Sequence, residues 1–252
     1  MSQPWEIYDA LLDGLPDDVV VRTAGQGPRW SRVLNSAGGV GTAWTMDVRS
    51  RPALNDGPLE GRPLRDVGAL AKSWNLAEAS IGQAAINSWY SREQTAAANG
   101  FEPTGEGLTW HQVFDPYREM IVGKRVAVIG HFPFAEAALA GAGEYICLER
   151  NLQPGDWPDS ACEYVLPECD LVFISSSSFV NKTAPRLIEL SRDAHTVLVG
   201  PSTPLNPVLL DYGVDTITGF VAARSLSDPI SLAEMVPAGD IGPGFRVHRH
   251  RA

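Results

Sequence analysis

Residues 123–149 read GKRVAVIGHFPFAEAALAGAGEYICLE, and this stretch decides the fold. Val126–Ile129 is a short apolar run rich in branched side chains, and it stops at Gly130. His131-Phe132-Pro133-Phe134 follows, then an alanine-rich helical segment, then a second apolar run, Tyr145–Leu148, that stops at Glu149. Strand, turn, helix and strand in that order outline a βαβ unit. A ligand of such a unit sits just beyond the strand ends, here around Gly130, His131 and Glu149.

Working outward toward the C-terminus, the pattern repeats. Leu171–Ile174, Thr196–Val199 and Val214–Thr218 are apolar runs, with a helix expected from about Thr183. Strands without polar alternation, joined by helical crossovers, indicate a parallel sheet covered on both faces. The tail, Gly242–Ala252, ends in HRHRA and is expected to fray.

Toward the N-terminus the style changes. Pro4–Leu15 carries Trp5, Tyr8, Leu11 and Leu12 on one helical face. Val19–Val21, Trp30–Leu34 and Val40–Met46 read as an antiparallel meander. Asp47–Gly61 is a loop, and Leu64–Ser73 and Glu78–Asn99 are expected helices. The buried stripe of the second is mostly small, and Gly82 within it is expected to pack closely on the meander, with a cleft role for Gly82 and Asn87 as the alternative. Gly100–Gly107 reads as a linker and Trp110–Val122 as a short helix. Five tryptophans lie between positions 30 and 110 and only Trp157 beyond, so the boundary is set near 112. The expected architecture is α/β: an α+β domain over 1–112, then a Rossmann-like domain over 113–252.

Bulk composition excludes several classes. There is no apolar run near 18 residues, and the acidic N-terminus lacks the features of a signal peptide, so a cytoplasmic protein is expected. A formal net charge of −10 disfavours nucleic acid and anionic membranes as partners. Cys147, Cys162 and Cys169 form no CxxC pair and no disulfide framework.

The site chemistry is read from the strand ends. A dinucleotide fingerprint needs several glycines, and only Gly130 is present. Pro133 removes a backbone N–H and the phenylalanines obstruct close approach, so NAD and adenosyl-type ligands are not expected. His131 and Glu149, at the ends of neighbouring strands, are the expected ligands of a divalent metal or an acid–base pair. Cys147 shares Glu149's face but lies deeper and is assigned to the core. His195 stands at the wrong edge, and His248 and His250 in a solvated tail. Asn181, Lys182, Thr183, Ser202 and Thr203 put small polar groups and one ammonium on the same sheet edge, although helix capping and turn formation account for them equally well.

The segments GKRVAVIGHFPF, LERN, FVNKT and VGPSTPLNPVLLDYGVDTITGFV, with SAGGVGTAWTM, PLRDVGALA and KSWNLAEASIGQAAINS before them, resemble the bacterial and archaeal family labelled "putative heavy-metal chelation". That resemblance covers nearly the whole chain. It implies an N-terminal domain like the N-terminal lid of enolase, a Rossmann-like C-terminal domain and a ligand cleft between them. His131, Glu149, Asn181, Lys182, Thr183, Ser202 and Thr203 fall in the family's motif segments. The expected function is binding of a small polar ligand, a metal ion or metal chelate, in that cleft. The alternatives are an enzyme acting on a small heterocyclic or carboxylated metabolite, with His131 and Glu149 as acid and base and Lys182 as anion holder, and a ligand-free interaction module. A homo-oligomer is compatible with any of the three.

Overall fold

The computed structural model describes residues 3–105, 110–238 and 240–251; Gly107 of the expected linker and Ala252 of the tail lie outside them. Helix α1 (Glu6–Asp13) buries Ile7, Tyr8, Leu11 and Leu12, the stripe its periodicity requires. Strands β1 (Val21–Gln26), β2 (Trp30–Asn35) and β3 (Val40–Trp44) form an antiparallel sheet in the order β1-β2-β3. Helix α2 (Leu64–Ala69) runs on into a 3₁₀ turn over Leu70–Lys72.

Helix α3 (Leu76–Tyr90) is capped by Asn75, whose side chain accepts the Glu78 N–H. Nearly every one of its residues is buried, because the meander packs on one side and the rest of the chain on the other. The single helix expected over Glu78–Asn99 is two: Arg92 takes extended backbone, and α4 (Glu93–Ala98) starts afresh. Gly82 is indeed a close contact, but its partner is not the meander. A Cβ there would stand 2.0 Å from the Ala71 nitrogen, in the 3₁₀ turn. It is Gly41 that lets the meander approach α3, since a Cβ there would lie 1.9 Å from the Ala84 carbonyl oxygen.

Beyond the two-residue β4 (Glu102–Pro103), a 3₁₀ helix over Trp110–Tyr117 leads into β5 (Arg125–Ile129). The alanine-rich segment shrinks to one turn, α5 (Ala135–Ala138); Gly141 and Gly143 follow it, and the Gly143 N–H bonds to the Lys124 carbonyl. Then come β6 (Glu144–Glu149), β7 (Trp157–Pro158), α6 (Cys162–Val165), β8 (Leu171–Ser175), α7 (Ser178–Asn181), α8 (Ala184–Leu190), β9 (His195–Val199), α9 (Val208–Asp211), β10 (Thr216–Ala222), α10 (Pro229–Ala238) and β11 (Gly244–His250).

These strands make one sheet in the order β4-β11-β10-β9-β8-β5-β6-β7, parallel from β7 to β10. The chain winds outward from β5 to β7 and then returns to the other side of β5, so the strand order reverses between β5 and β8. That switch point is where ligands of doubly wound sheets bind. The expected fraying tail is instead β11, which runs antiparallel to β10 over all seven residues. Its backbone groups that face β10 are met by the ladder, His248 Nδ1 lies 2.8 Å from Thr104 Oγ1, and His250 Nδ1 lies 3.0 Å from Thr216 Oγ1. Both histidines therefore belong to the sheet and not to a solvated end.

One apolar cluster runs from Ile7 to Val247 and joins both halves of the chain. Tyr8 Oη donates to the Phe179 carbonyl at 2.8 Å, and Asn99 Nδ2 to the Leu205 carbonyl at 2.9 Å. A second cluster, Phe114, Phe173, Val126 and Val128 among its members, fills the other face of the sheet.

Candidate metal centre at the ends of β5, β6 and β7

Three features bring a set of potential metal ligands together beyond the strand ends. Gly130 ends β5 with φ 99°, a conformation that turns the chain sharply and that a Cβ would strain; a side chain there would also meet the Ser175 Cβ at 2.9 Å. Phe132 and Phe134 then anchor the turn, each with its ring centroid 5.9 Å from that of Phe114. The aromatic turn that replaces a glycine cradle is thus a packed floor, and it holds His131 at its rim with a side chain 28% exposed.

Glu149 fixes the backbone around this rim. Its Oε2 accepts the His131 N–H at 2.9 Å, and its Oε1 accepts the N–H groups of Arg150 (2.6 Å) and Asn151 (2.9 Å). The structure therefore does bring His131 and Glu149 together, but through the backbone of the histidine. The carboxylate is committed to three N–H donors and acts as a clamp on two loops.

The group that faces the His131 ring is Asp156. Its Oδ1 lies 3.1 Å and its Oδ2 3.2 Å from Nδ1, and its side chain is 3% exposed. Asp156 follows Gly155, which at φ 97° turns the 150–156 loop back over β6. Oδ2 also accepts the Gln153 N–H at 2.9 Å. Burial alone would raise this carboxyl, but the Gln153 N–H, the Cys147 thiol and the His131 ring together hold it below the usual carboxylate range. Cys147, on β6, completes the set, with Sγ 3.9 Å from His131 Nδ1. Burial first, and then the hydrogen bond to Asp156 and that carboxylate's charge, push the thiol up to about 12.

Ligand atoms of His131, Cys147 and Asp156 all lie within 4.8 Å of one another, the one such set of three among the described residues. Around a tetrahedral ion with ordinary bond lengths, neighbouring ligand atoms stand roughly 3.3–3.6 Å apart. The two spacings to His131 Nδ1, 3.1 and 3.9 Å, bracket that range and the whole set lies within 4.8 Å, so side-chain shifts of about 1 Å would be needed to close it around one ion. The sequence reading assigns Cys147 to the core and gives Asp156 no role. Alternation along β6, which puts Cys147 and Glu149 on one face, was the signal for the first; nothing short of the loop's path signals the second.

The remaining strand-end residues are elsewhere occupied. Ser202 is buried beneath α3: its Oγ accepts the Trp44 N–H at 2.8 Å, and its carbonyl accepts Asn87 Nδ2 at 2.9 Å. Thr203, also buried, donates to the Gly200 carbonyl at 2.7 Å. Asn181 Oδ1 accepts from both the N–H and the hydroxyl of Thr183, a local turn that starts α8. Lys182 sits at φ 67°, donates to the Val180 carbonyl at 2.8 Å and lies 5.6 Å from the centroid of the Trp74 ring. None of these five reaches His131. His195 starts β9 at the opposite edge, 3.5 Å from Thr216 Oγ1.

Comparison with known proteins places these elements in a wider context. Residues 112–245 match one family and residues 8–90 another, both described as "putative heavy-metal chelation". A crystal structure of a protein of unknown function from Desulfitobacterium hafniense, a member of the first of these families, superposes with a TM-score of 0.85 at 36% identity, covering 98% of each chain. A second, from Pyrococcus horikoshii, also of unknown function and of the same family, superposes at 0.78 with 20% identity over 98% of this chain and 99% of that one, a likeness of fold alone. No curated protein matches the chain. Among the described residues no helix is long and apolar enough to cross a membrane.

Proposed function

Because the chain belongs to the family described as "putative heavy-metal chelation", we propose that it binds a divalent metal ion, free or as a chelate, through His131, Cys147 and Asp156. The observation that carries this is the meeting of one imidazole, one thiol and one carboxylate within 4.8 Å at a sheet edge. Mixed nitrogen, sulfur and oxygen donors suit a borderline ion such as Zn²⁺ better than Mg²⁺ or Ca²⁺. Three protein ligands leave a fourth position for water or for a donor atom of a chelate. Glu149 takes the role of a positioning residue: its grip on the His131 N–H sets where the ring stands. We further divide the chain near residue 112, with the metal centre in the C-terminal part and the N-terminal part bracing the neighbouring strand ends.

Tag-free protein, stripped of metal and titrated with Zn²⁺ in a calorimeter, is expected to bind about one equivalent. Co²⁺ in its place should give the near-ultraviolet thiolate absorption that reports a Cys147 ligand. Equal binding by Cys147→Ser and Asp156→Asn would remove the site.

One observation favours a second reading. Asp156 faces His131 Nδ1 as the carboxylate of an acid–base dyad would, so an enzyme using His131 would pair it with Asp156 and not with Glu149. The high pKa of Cys147 argues against the thiol as its nucleophile.

A further inference from the structure

A cavity of about 260 Å³ lies between the β2–β3 turn, the break between α3 and α4, and the end of β10. It is lined by Gly39, Val40, Ser91, Arg92, Glu93 and Arg224 among others. Three strands, hence four inter-strand steps of about 4.8 Å or about 19 Å in all, separate β10 from β6, so this cavity is distinct from the candidate metal centre.

Its walls carry cationic groups and an unanswered donor. Arg92 lies with its guanidinium over the Trp89 ring, 4.8 Å from the centroid. Only a glycine at 39 leaves room for its stem, since a Cβ there would fall 2.4 Å from Arg92 Cγ. Arg224 enters from the 3₁₀ turn over Arg224–Ser227, and its only ion pair among the described residues is a 3.5 Å contact with Glu93, its own side chain 77% exposed. Ser91, 4% exposed, has its Oγ buried without a hydrogen-bond partner. A buried hydroxyl left unpaired is uncommon and points to a partner that comes and goes.

A third cation stands behind these. Arg32 is fully buried, none of its guanidinium nitrogens has a hydrogen-bond partner, and the Asp240 carboxylate is the opposite charge that acts on it. It pairs with Thr42 across β2 and β3, as Leu34 pairs with Val40 of the cavity wall, so by alternation all four share one face of the sheet. Arg32 is thus two residues, about 7 Å along the strand, from the wall. Arg92 and Arg224 outnumber Glu93 on the wall, so in a chain of net charge −10 this cavity keeps a local positive charge that attracts an anion.

We propose that this cavity binds a small oxyanion ligand, carboxylate or phosphate, with Arg92 and Arg224 as its charged clamps and the Ser91 hydroxyl as a neutral donor. The wall joins both halves of the chain: Ser227 Oγ donates to the Gly38 carbonyl at 2.7 Å, and a bound anion bridging Arg92 to Arg224 adds a second tie across the same seam. The site depends on nothing at His131.

The test is thermal denaturation and calorimetry of the whole chain with inorganic phosphate and, separately, with citrate, each against potassium chloride of equal ionic strength. A saturable rise in melting temperature with at least one of the two anions is expected, and which one acts identifies the headgroup. Arg224→Gln, an exposed change that leaves the fold intact, should weaken that binding about tenfold or more. Ser91→Ala should weaken it less, and His131→Ala should leave it unchanged. No saturable effect of either anion, or an effect that survives in both Arg224→Gln and Arg92→Gln, overturns the proposal.

Discussion

Two groups of strand ends share one edge of the large sheet and meet opposite fates. Beyond β8 and β9 the chain reads SSSS, NKT and GPST; beyond β5, β6 and the 150–156 loop it reads GH, LE and GD. Both are small, polar and glycine-punctuated. Yet the β8–β9 ends lie largely sealed under α3, where Asn87 Nδ2 donates to the Ser202 carbonyl (2.9 Å) and Ser202 Oγ accepts the Trp44 N–H (2.8 Å), while Ser178 Oγ is buried without a partner. The β5–β7 ends have no such cover, and there a half-buried imidazole faces a carboxylate and a thiol. Polar residues at a strand end announce that hydrogen bonds must be made; they do not say whether the partner is the protein itself or a ligand.

Each side of this contrast can be broken separately. Asn87→Leu should have the largest effect. It leaves the buried Thr42 carbonyl without its side-chain donor and the Ser202 carbonyl with only the longer bond from Gln83 Nε2 (3.3 Å), and is expected to cost about 3 kcal/mol in urea denaturation, at roughly 1–3 kcal/mol for an orphaned group. Zn²⁺ affinity of the fraction that remains folded should not move; a parallel loss would mean that the two edges are coupled. Cys147→Ser comes next. It should weaken Zn²⁺ binding by about a hundredfold, at least what removal of a supporting group costs elsewhere, with little change in stability. Glu149→Gln tests the clamp. Losing the charge but keeping the side chain's length should loosen the His131 backbone and reduce Zn²⁺ affinity about tenfold. An effect as large as that of Cys147→Ser would make Glu149 a ligand in its own right.

The smallest effect belongs to the sealed edge. Burial holds the Lys182 ammonium down to about 8, against the opposing charge of Glu78. A lysine whose pKa falls on folding lets the unfolded chain bind more protons between about pH 8 and 10.5, so stability should rise with pH across that window. Lys182→Met should therefore be slightly more stable than the parent at pH 7, and the gain should vanish near pH 10.5. A gain that persists unchanged at high pH would trace to packing on Trp74 and not to the charge.

Much of the architecture was legible in the residues. Val126–Ile129, Leu171–Ile174 and Thr196–Val199 are branched, unalternating runs, and all three are strands buried in a mostly parallel sheet. The matched families and superposed structures agree with the resemblance carried by GKRVAVIGHFPF and its companions. Errors fell where long-range pairing overrode local appearance. HRHRA looks like a polar tail, yet β10 presents it with a free edge, and the ladder made there outweighs the cost of ordering it. Glu78–Asn99 looks like one helix, yet the chain breaks at Arg92, whose guanidinium stacks on Trp89.

The sequence by itself determined the strand-turn-helix order, the single glycine that ends β5 and the position of His131 at a strand end. Periodicity, glycine placement and side-chain bulk are local properties, and they act within a few residues. Only the tertiary structure decided which acid faces the imidazole. Glu149 and Asp156 lie 18 and 25 residues from His131, and both come near it. One carboxylate meets the backbone and the other meets the ring, because Gly155 turns its loop over β6 and brings Asp156 down beside Cys147. Nothing in the spacing of the two acids separates them; the loop's path through space does.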